Sequence, residues 1–171
     1  MASKMDLIMA GAAGHILAAG VRQDMAGPQP GAAALVGDAL MMRDPVSGNT
    51  LLNVASAHLS VQAVDLRDDV LMTARDFILV DSLPEKGADP HATPVQLDGA
   101  TITVNLPSAA PEGGATVWVY VEGAPQPIIH QVEVLETSTS ANEPLVLPSG
   151  DYCALVLAPG CRAAIVETSI P

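Results

Sequence analysis

Four histidines are the first candidates for chemistry in this sequence, because imidazole serves as a metal ligand and as a general base near neutral pH. They are His15, His58, His91 and His130. None lies two or four residues from another histidine or cysteine, so the spacing of common metal sites is absent. Asp89 and His91 could chelate an ion across a loop, although such a pair is more often solvated. His130 alternates with apolar residues, and we expect it in a core or an interface.

The two cysteines, Cys153 and Cys161, flank a predicted hairpin turn at Pro159 and Gly160. In a two-residue loop the cysteines would lie several residues apart along the ladder, which is too far for a disulfide. A shifted register would bring them together, but we expect free, buried thiols and therefore a reducing compartment. A thiolate is disfavoured in an apolar strand. No Gly-x-Ser-x-Gly motif supplies a serine nucleophile instead.

The densest acidic cluster is formed by Asp65, Asp68 and Asp69, with Arg67 between them. Paired carboxylates can transfer protons or bind Ca²⁺. The Asp-x-Asp-x-Asp-Gly pattern of a calcium loop is absent, however, and acidic residues favour the first turn of a helix. A small hydrolase would need His58 or His91 beside a carboxylate in a cleft. The sequence therefore predicts no catalytic residue, no metal site and no cofactor.

The net charge of the chain disfavours some classes of binding partner. The chain carries −12 at pH 7, and its seven Lys and Arg residues are scattered along the sequence. Binding to a run of phosphates or to an anionic bilayer needs clustered cations, so we expect neither nucleic acid nor a membrane as partner. Residues 7–20 are apolar, but they are too short and too weakly hydrophobic to span a bilayer. We interpret them as part of the mature N-terminal segment.

Residues 1–35 are predicted to form an N-terminal arm or helix, followed by a linker. Apolar side chains favour a helix over residues 5–25, although each glycine there weakens it by about 1 kcal/mol relative to alanine. An extended arm that becomes ordered against a neighbouring subunit is the alternative. The candidate interface residues of this segment are Leu7, Ile8, Met9, Ile16 and Leu17.

The rest of the chain divides at a Pro-rich stretch over residues 82–94. Residues 36–86 are predicted to form a mixed α/β segment, and residues 87–171 a β-sandwich. Turns about every eight to twelve residues separate short alternating runs, which is typical of an Ig-like or jelly-roll sandwich. The predicted strands lie at residues 95–98, 100–106, 115–122, 128–136, 144–147, 151–158 and 161–168. The predicted fold class is mainly β, with an N-terminal helix or arm and a small α+β segment.

One predicted strand, at residues 116–122, is apolar on both faces. Its three valines share one face, whereas Trp118 and Tyr120 share the other. The valines suit a sandwich core, which leaves the two aromatic side chains pointing away from that core. Either another part of the chain covers Trp118 and Tyr120 or a second subunit does, since aromatic residues are enriched in interface cores.

An Ala-, Gly- and Pro-rich stretch at residues 9–40 precedes the β-rich half, whose strands are bounded by turns at residues 148–152 and 158–160. In this composition and arrangement of strands, the chain resembles virion accessory proteins of tailed bacteriophages, of the capsid decoration or cement type. The resemblance implies a non-enzymatic structural protein on the surface of a virus particle, assembled in the host cytoplasm and often trimeric. It also implies an N-terminal arm that clamps capsid proteins. The alternative is a ligand- or carbohydrate-binding β-sandwich module of a fibre or adhesin, with Trp118 and Tyr120 as an exposed platform.

Overall fold

A computed structural model describes residues 3–11, 13–23, 26–43, 50–123 and 126–171 of the chain. The protein is mainly β, with several antiparallel sheets. It divides into two compact units, Met1–Gly87 and Ala88–Pro171. The sequence places the start of the sandwich at residue 87, one residue before the second unit begins. The first unit contains both the predicted arm and the predicted mixed segment.

The first unit is a sheet with short helices inserted between its strands. Its elements are β1 (Lys4–Ala10), β2 (His15–Val21), α1 (Ala32–Val36), β3 (Ala39–Arg43), β4 (Thr50–Ala55), β5 (Leu59–Asp65), α2 (Asp68–Met72), β6 (Phe77–Val80) and β7 (Leu83–Lys86). Five strands form one antiparallel sheet in the order β5-β1-β2-β6-β7. β3 and β4 form a separate antiparallel hairpin. The last strand, β7, lies at the edge of the sheet, where Pro84 is tolerated because an edge strand does not need every N–H group.

The helix or arm predicted over residues 5–25 is wrong, because β1 and β2 form a β-hairpin there. β1 also pairs with β5, so it is an inner strand of the sheet. An inner strand buried on both faces loses the alternation that distinguishes a strand from a helix in sequence. The turn between β1 and β2 requires Gly14, whose φ is +70° and where a Cβ would lie 2.9 Å from the Leu79 carbonyl oxygen. Of the glycines that would weaken a helix, Gly11 and Gly14 therefore belong to the turn, whereas Gly20 lies in β2.

One face of this sheet packs against α2. Its buried cluster consists of Met5, Leu7, Met9, Ile16, Val64, Val70 and Phe77. Side chains two residues apart on β1 point to the same face, which is why Met5, Leu7 and Met9 meet in this cluster. α2 contributes Val70, and it carries Asp68 and Asp69 in its first turn, where negative charge is favourable.

The second unit contains two antiparallel sheets. Its strands are β8 (Val95–Leu97), β9 (Thr101–Asn105), β10 (Ala115–Glu122), β11 (Ile128–Val134), β12 (Ser140–Pro144), β13 (Gly150–Leu157) and β14 (Ala164–Ile170). A four-stranded sheet has the order β11-β10-β13-β14, and a three-stranded sheet has the order β12-β9-β8. Side chains from both sheets form one hydrophobic cluster. The second unit is therefore built from two sheets that share a core.

The core of the second unit follows the period-two pattern of its sequence. Val117, Val119 and Val121 of β10 point into it, together with Ile102 and Val104 of β9. The intervening residues of β10 point to the opposite side, which we call the outer face of the four-stranded sheet.

Two predicted strands are displaced. The sequence predicts a strand at residues 144–147, whereas β12 covers Ser140–Pro144. β12 is polar and lies at a sheet edge, so it lacks the apolar alternation that marks a strand. The last strand begins at Ala164 and not at residue 161.

Candidate functional site

The outer face of the four-stranded sheet carries the predicted aromatic platform. Trp118 lies opposite Leu157, and Tyr120 lies opposite Leu155. Residues directly opposite in an antiparallel pair share a face, so these four side chains are neighbours. We call them the outer-face cluster.

Most of the outer-face cluster is buried. Tyr120 is 6% exposed and both leucines are 0% exposed, whereas Trp118 is half-buried. Burial raises the pKa of the Tyr120 phenol, because the charged phenolate would lose its hydration. Tyr120 therefore presents no exposed ring, and that part of the platform prediction is wrong. Trp118 keeps part of its indole at the surface.

One end of the outer face is acidic. Cys153 of β13 lies in register between Glu122 of β10 and Glu167 of β14. Burial, together with the negative charges of Glu167 and Glu122, raises the pKa of the Cys153 thiol to about 11. Burial also raises the pKa of Cys161. Both cysteines are free and buried, and at neutral pH they are thiols, which are poor nucleophiles.

Asp89 and His91, which could chelate an ion across a loop, each have another hydrogen-bond partner. Asp89 Oδ1 instead accepts a hydrogen bond from Arg162 Nε at 2.9 Å. His91 Nδ1 accepts one from the Thr93 backbone N–H at 3.0 Å, which stabilises its own loop. Of the other histidines, His15 is buried and His58 is exposed. Among the described residues, no three His, Cys, Asp or Glu side chains are grouped as a metal site requires.

Two of the three acids in the cluster at residues 65–69 form surface ion pairs. Lys4 Nζ lies 2.7 Å from Asp65 Oδ1, and Arg67 Nη2 lies 2.6 Å from Asp69 Oδ2. The hydrogen bond from Arg67 lowers the pKa of the Asp69 carboxyl. The Arg67–Asp69 pair lies at the start of α2, whereas the Lys4–Asp65 pair joins β1 to β5.

The five N-terminal interface candidates all lie in β1 and β2. Leu7, Met9 and Ile16 belong to the core cluster of the first unit. Ile8 and Leu17 are buried as well. Leu7, Met9 and Ile16 cannot become ordered on a neighbouring subunit without opening this core, so an arm built from them is wrong.

Two polar contacts are not predicted from the sequence. In the second unit, Glu143 of β12 reaches β11, where its Oε2 lies 3.1 Å from His130 Nε2 and its Oε1 accepts from the Glu133 N–H at 3.4 Å. In the first unit, Asp6 and Arg22 form an ion pair with 3.5 Å between Oδ1 and Nη1. Its only signal in the sequence is a charged residue inside an otherwise apolar strand.

No protein-family model and no curated protein matches the chain. In the part of the chain that the structure describes, no helix is both long and apolar enough to cross a membrane.

Proposed function

We propose that the chain is a non-enzymatic structural protein of a virus particle, which binds and stabilises the capsid surface as a decoration subunit. The observation that carries this proposal is that the reactive polar side chains of the chain are engaged or buried, whereas several large apolar side chains are exposed. Residues able to do chemistry, such as His91, His130 and Cys153, are held in structural contacts or buried. Large apolar side chains stand at the surface instead, with Met72 83% and Val146 82% exposed.

Exposed apolar side chains favour binding to a protein surface. Burying apolar area stabilises a complex by about 25 cal/mol per Å², so a few such side chains give only a modest affinity per copy. Symmetric repetition on a lattice multiplies a modest affinity, because each further contact of a linked copy is intramolecular. A homo-oligomer, such as a trimer, would use this effect.

We also infer that the second unit is an Ig-like sandwich and not a jelly-roll. Its first, second and fifth strands form one sheet, and the other four form the second sheet. The constant-type Ig sandwich divides its strands in the same way except for the fourth, which lies in the other sheet. The Tyr152 hydroxyl donates to the Pro148 carbonyl oxygen at 2.8 Å, near the start of the sixth strand. Ig domains carry a tyrosine corner of this kind at the same place.

The test is sedimentation of the chain with capsids. The chain is expressed together with candidate capsid proteins, and assembled particles are separated on a gradient. We expect the chain to travel with the particles, and analytical ultracentrifugation of the free chain to give the mass of an oligomer. A monomer that stays at the top of the gradient contradicts the proposal.

A matched pair of variants identifies the surface that binds. Val146→Glu places a charge on an exposed apolar position, whereas Ser108→Glu places the same charge on an exposed polar position of the same unit. We expect Val146→Glu to weaken particle binding at least about tenfold and Ser108→Glu to leave it unchanged. Equal binding by both variants would remove Val146 from the interface.

The alternative function is carbohydrate binding through Trp118. The half-buried indole lies opposite Gln131, whose exposed amide could hydrogen-bond to a sugar. Fluorescence of the single tryptophan separates the two functions. A shift on titration with glycans favours the sugar-binding module, whereas protection from a soluble quencher gained only on particles favours the decoration subunit.

A further inference from the structure

Four of the strands at sheet edges carry a feature that hinders pairing with another chain. β7 and β12 contain Pro84 and Pro144, which lack an N–H group. At β5 the Gln29 side-chain amide donates to the Val61 carbonyl oxygen, and at β11 the Glu133 N–H donates to a carboxylate of β12. Natural proteins protect edges in such ways because an unprotected edge recruits strands from other molecules.

β14 carries none of these features on the side that faces away from β13, which we call the open edge. β14 lies at the end of the four-stranded sheet, pairs with β13 without a bulge, and contains neither proline nor lysine. β8 of the other sheet approaches it, but among the described residues no backbone hydrogen bond joins the two strands. The hydrogen bond from Ser169 Oγ to Asp151 Oδ1 runs toward β13. Backbone N–H and C=O groups of alternate residues therefore line the open edge.

The chain just before β14 already pairs with an extended segment. Ala88 forms a parallel bridge with Cys161, in which its N–H donates to the Gly160 carbonyl oxygen and its carbonyl oxygen accepts from the Arg162 N–H, both at 2.9 Å. The chain from Ala88 then enters the other sheet, where β8 pairs with β9. An extended backbone therefore fits beside the entrance to β14, and this segment does not continue along the open edge.

The side chains beside the open edge favour a cation. Glu167 lies in register with Cys153, which lies in register with Glu122 of β10, so one row of the outer face carries two acids. Glu167 is exposed, and no cation among the described residues forms an ion pair with it. An added strand would place a side chain directly beside Glu167, where opposite charge is favourable and like charge is unfavourable.

Aliphatic side chains flank this charge. Ile165 and Val166 are half-buried, and they point to opposite faces of the sheet. A strand beside them would remove part of their apolar surface from water. The open edge therefore suits a segment in which aliphatic residues surround one basic residue.

A second copy of the chain fits the open edge poorly. Two copies of β14 related by a two-fold axis pair along their whole length only when they are centred on Glu167, because this residue is the middle of the strand. Each Glu167 carboxylate would then lie beside its own copy. Both copies also carry a net charge of −12, which adds repulsion.

These observations define the partner. We propose that β14 binds an extended segment of another protein as an added strand, with a lysine or arginine of that segment beside Glu167. In this mode of recognition, main-chain hydrogen bonds supply the affinity and alternate side chains supply the specificity. The pairing does not depend on the proposed role on a capsid, so a chain that fails to bind capsids should still bind such a segment.

The test uses the ¹⁵N-labelled full chain and two synthetic peptides, followed by NMR. Each peptide has nine residues that alternate threonine and valine around a central lysine or a central glutamate, so it has the same sequence in both directions. We expect saturable shifts at the amides of β14, with the lysine peptide bound about fivefold more tightly. No saturation by the lysine peptide, or equal affinity for the two peptides, overturns the proposal.

Hydrogen exchange tests the backbone pairing itself on the unmodified chain. The amides of β14 that face β13 are already bonded, so only the alternate amides on the open edge should gain protection from the lysine peptide. If the peptide binds without protecting any amide of β14, the added strand is wrong.

A charge reversal locates the contact. Glu167→Lys should invert the preference, so that the glutamate peptide binds more tightly than the lysine peptide. Glu112→Lys, at another exposed position of the second unit, is the matched control and should leave the preference unchanged. The same preference in the chain and in Glu167→Lys overturns the assignment to this row.

The free chain distinguishes the partner from a second copy. Hydrogen exchange of the chain alone, at rising concentration, should leave the amides on the open edge unprotected even where the chain forms an oligomer through another surface. Protection of these amides that increases with concentration would assign the open edge to a second copy and overturn the proposal.

Discussion

The two units of this chain differ in how clearly the sequence marks their strands. Among the described residues, each unit has three strand pairs that are neighbours in the chain and two that are not. In β10 of the second unit, buried valines alternate with residues of the other face, whereas β1 of the first unit is buried along nearly its whole length. A period of two therefore identifies strands of the second unit but not the inner strand of the first.

The two cores also differ in their side chains. The first unit uses Met5 and Met9 beside Leu7 and Phe77, and methionine adapts to irregular gaps. The core of the second unit is rich in valine, whose branched side chain has few rotamers and fits a pleated sheet. We expect the second unit to be the more uniquely packed of the two.

The largest expected effect comes from deleting residues 1–25. The deletion removes β1 and β2, the inner strands that join β5 to β6. We expect the first unit to lose its fold, while the second unit keeps its own core. Hydrogen exchange followed by mass spectrometry should show loss of protection in β5 and β6 but not in β10 and β13. Retained protection in β5 would mean that the hairpin is a dispensable arm.

A pair of core substitutions sharpens the comparison. Leu7 and Ile102 are both 0% exposed, the first in the core of the first unit and the second in the core of the second. Leu7→Ala and Ile102→Ala should each lower the free energy of unfolding of its own unit by about 2–5 kcal/mol, because each leaves a cavity. Urea unfolding followed by hydrogen exchange measures each unit separately. A smaller cost at Leu7 would indicate that the methionines around it collapse into the cavity.

Two adjacent glycines test how tightly the second unit is packed. Gly113 and Gly114 both have φ of +83°, but only at Gly114 would a Cβ meet an atom, the Val134 carbonyl oxygen at 2.8 Å. Gly113→Ala should cost about 1–2 kcal/mol from the backbone conformation alone. Gly114→Ala should cost about 1–3 kcal/mol more, because the neighbouring strand must shift. Denaturant midpoints followed by Trp118 fluorescence give the difference in unfolding free energy between the two variants. Equal costs would show that the strand that carries Val134 shifts without loss of stability.

The tyrosine corner should make a smaller contribution. Tyr152→Phe removes the hydroxyl that donates to the Pro148 carbonyl oxygen and keeps the ring. We expect a loss of about 0.5–1.5 kcal/mol in the unfolding free energy of the second unit. Tyr152→Leu also removes the ring from the core and should cost more. An unchanged stability for Tyr152→Phe in urea denaturation would argue against a corner that fastens this turn.

The smallest effects concern two exposed carboxyls, one in each unit. Backbone N–H groups of Ala100 and Thr101 lower the pKa of Asp98, and the Arg67 hydrogen bond lowers the pKa of Asp69. A carboxyl with a lowered pKa contributes stability that is fully present above the ordinary value of about 3.9 and is lost as pH falls through the folded value. NMR titration of the side-chain carboxyls should place both midpoints below the ordinary value.

Salt and a single substitution separate the two carboxyls. Salt at about 1 M, where the screening length is about 3 Å, should raise the pKa of Asp69, which has a charged partner, more than that of Asp98. Thr101→Val removes a hydroxyl donor and should raise the pKa of Asp98 alone. Equal responses to salt would contradict the difference in mechanism.

The sequence predicts the second unit better than the first for physical reasons. The strand at Ala115–Glu122 is confirmed with its predicted bounds, because its valines alternate with residues of the other face. β12 is misplaced because an edge strand needs little apolar surface. β1 is misassigned because Leu7, Ile8 and Met9 are all buried, which removes any period from the pattern.

The candidate sites follow the same rule. Alternation alone places Trp118 and Tyr120 on one face, whereas their burial depends on contacts that a local pattern does not contain. The ion pair of Asp6 and Arg22 could not be predicted, because it requires Asp6 on β1 to meet Arg22, beyond the end of β2. A single acidic residue in an apolar strand indicates a buried polar contact but does not identify the residue that it contacts.

The contact between Glu143 and β11 has a consequence for aggregation. A strand at the margin of a sheet exposes N–H groups that can recruit a strand from another molecule, the first step toward fibrils. The Glu143 carboxylate accepts from the Glu133 N–H on that margin, while Pro144 interrupts the donor row of β12 beside it. The negative charge at this position also repels the same margin of a second copy. Even at high local concentration, the protein should therefore resist polymerisation through this edge.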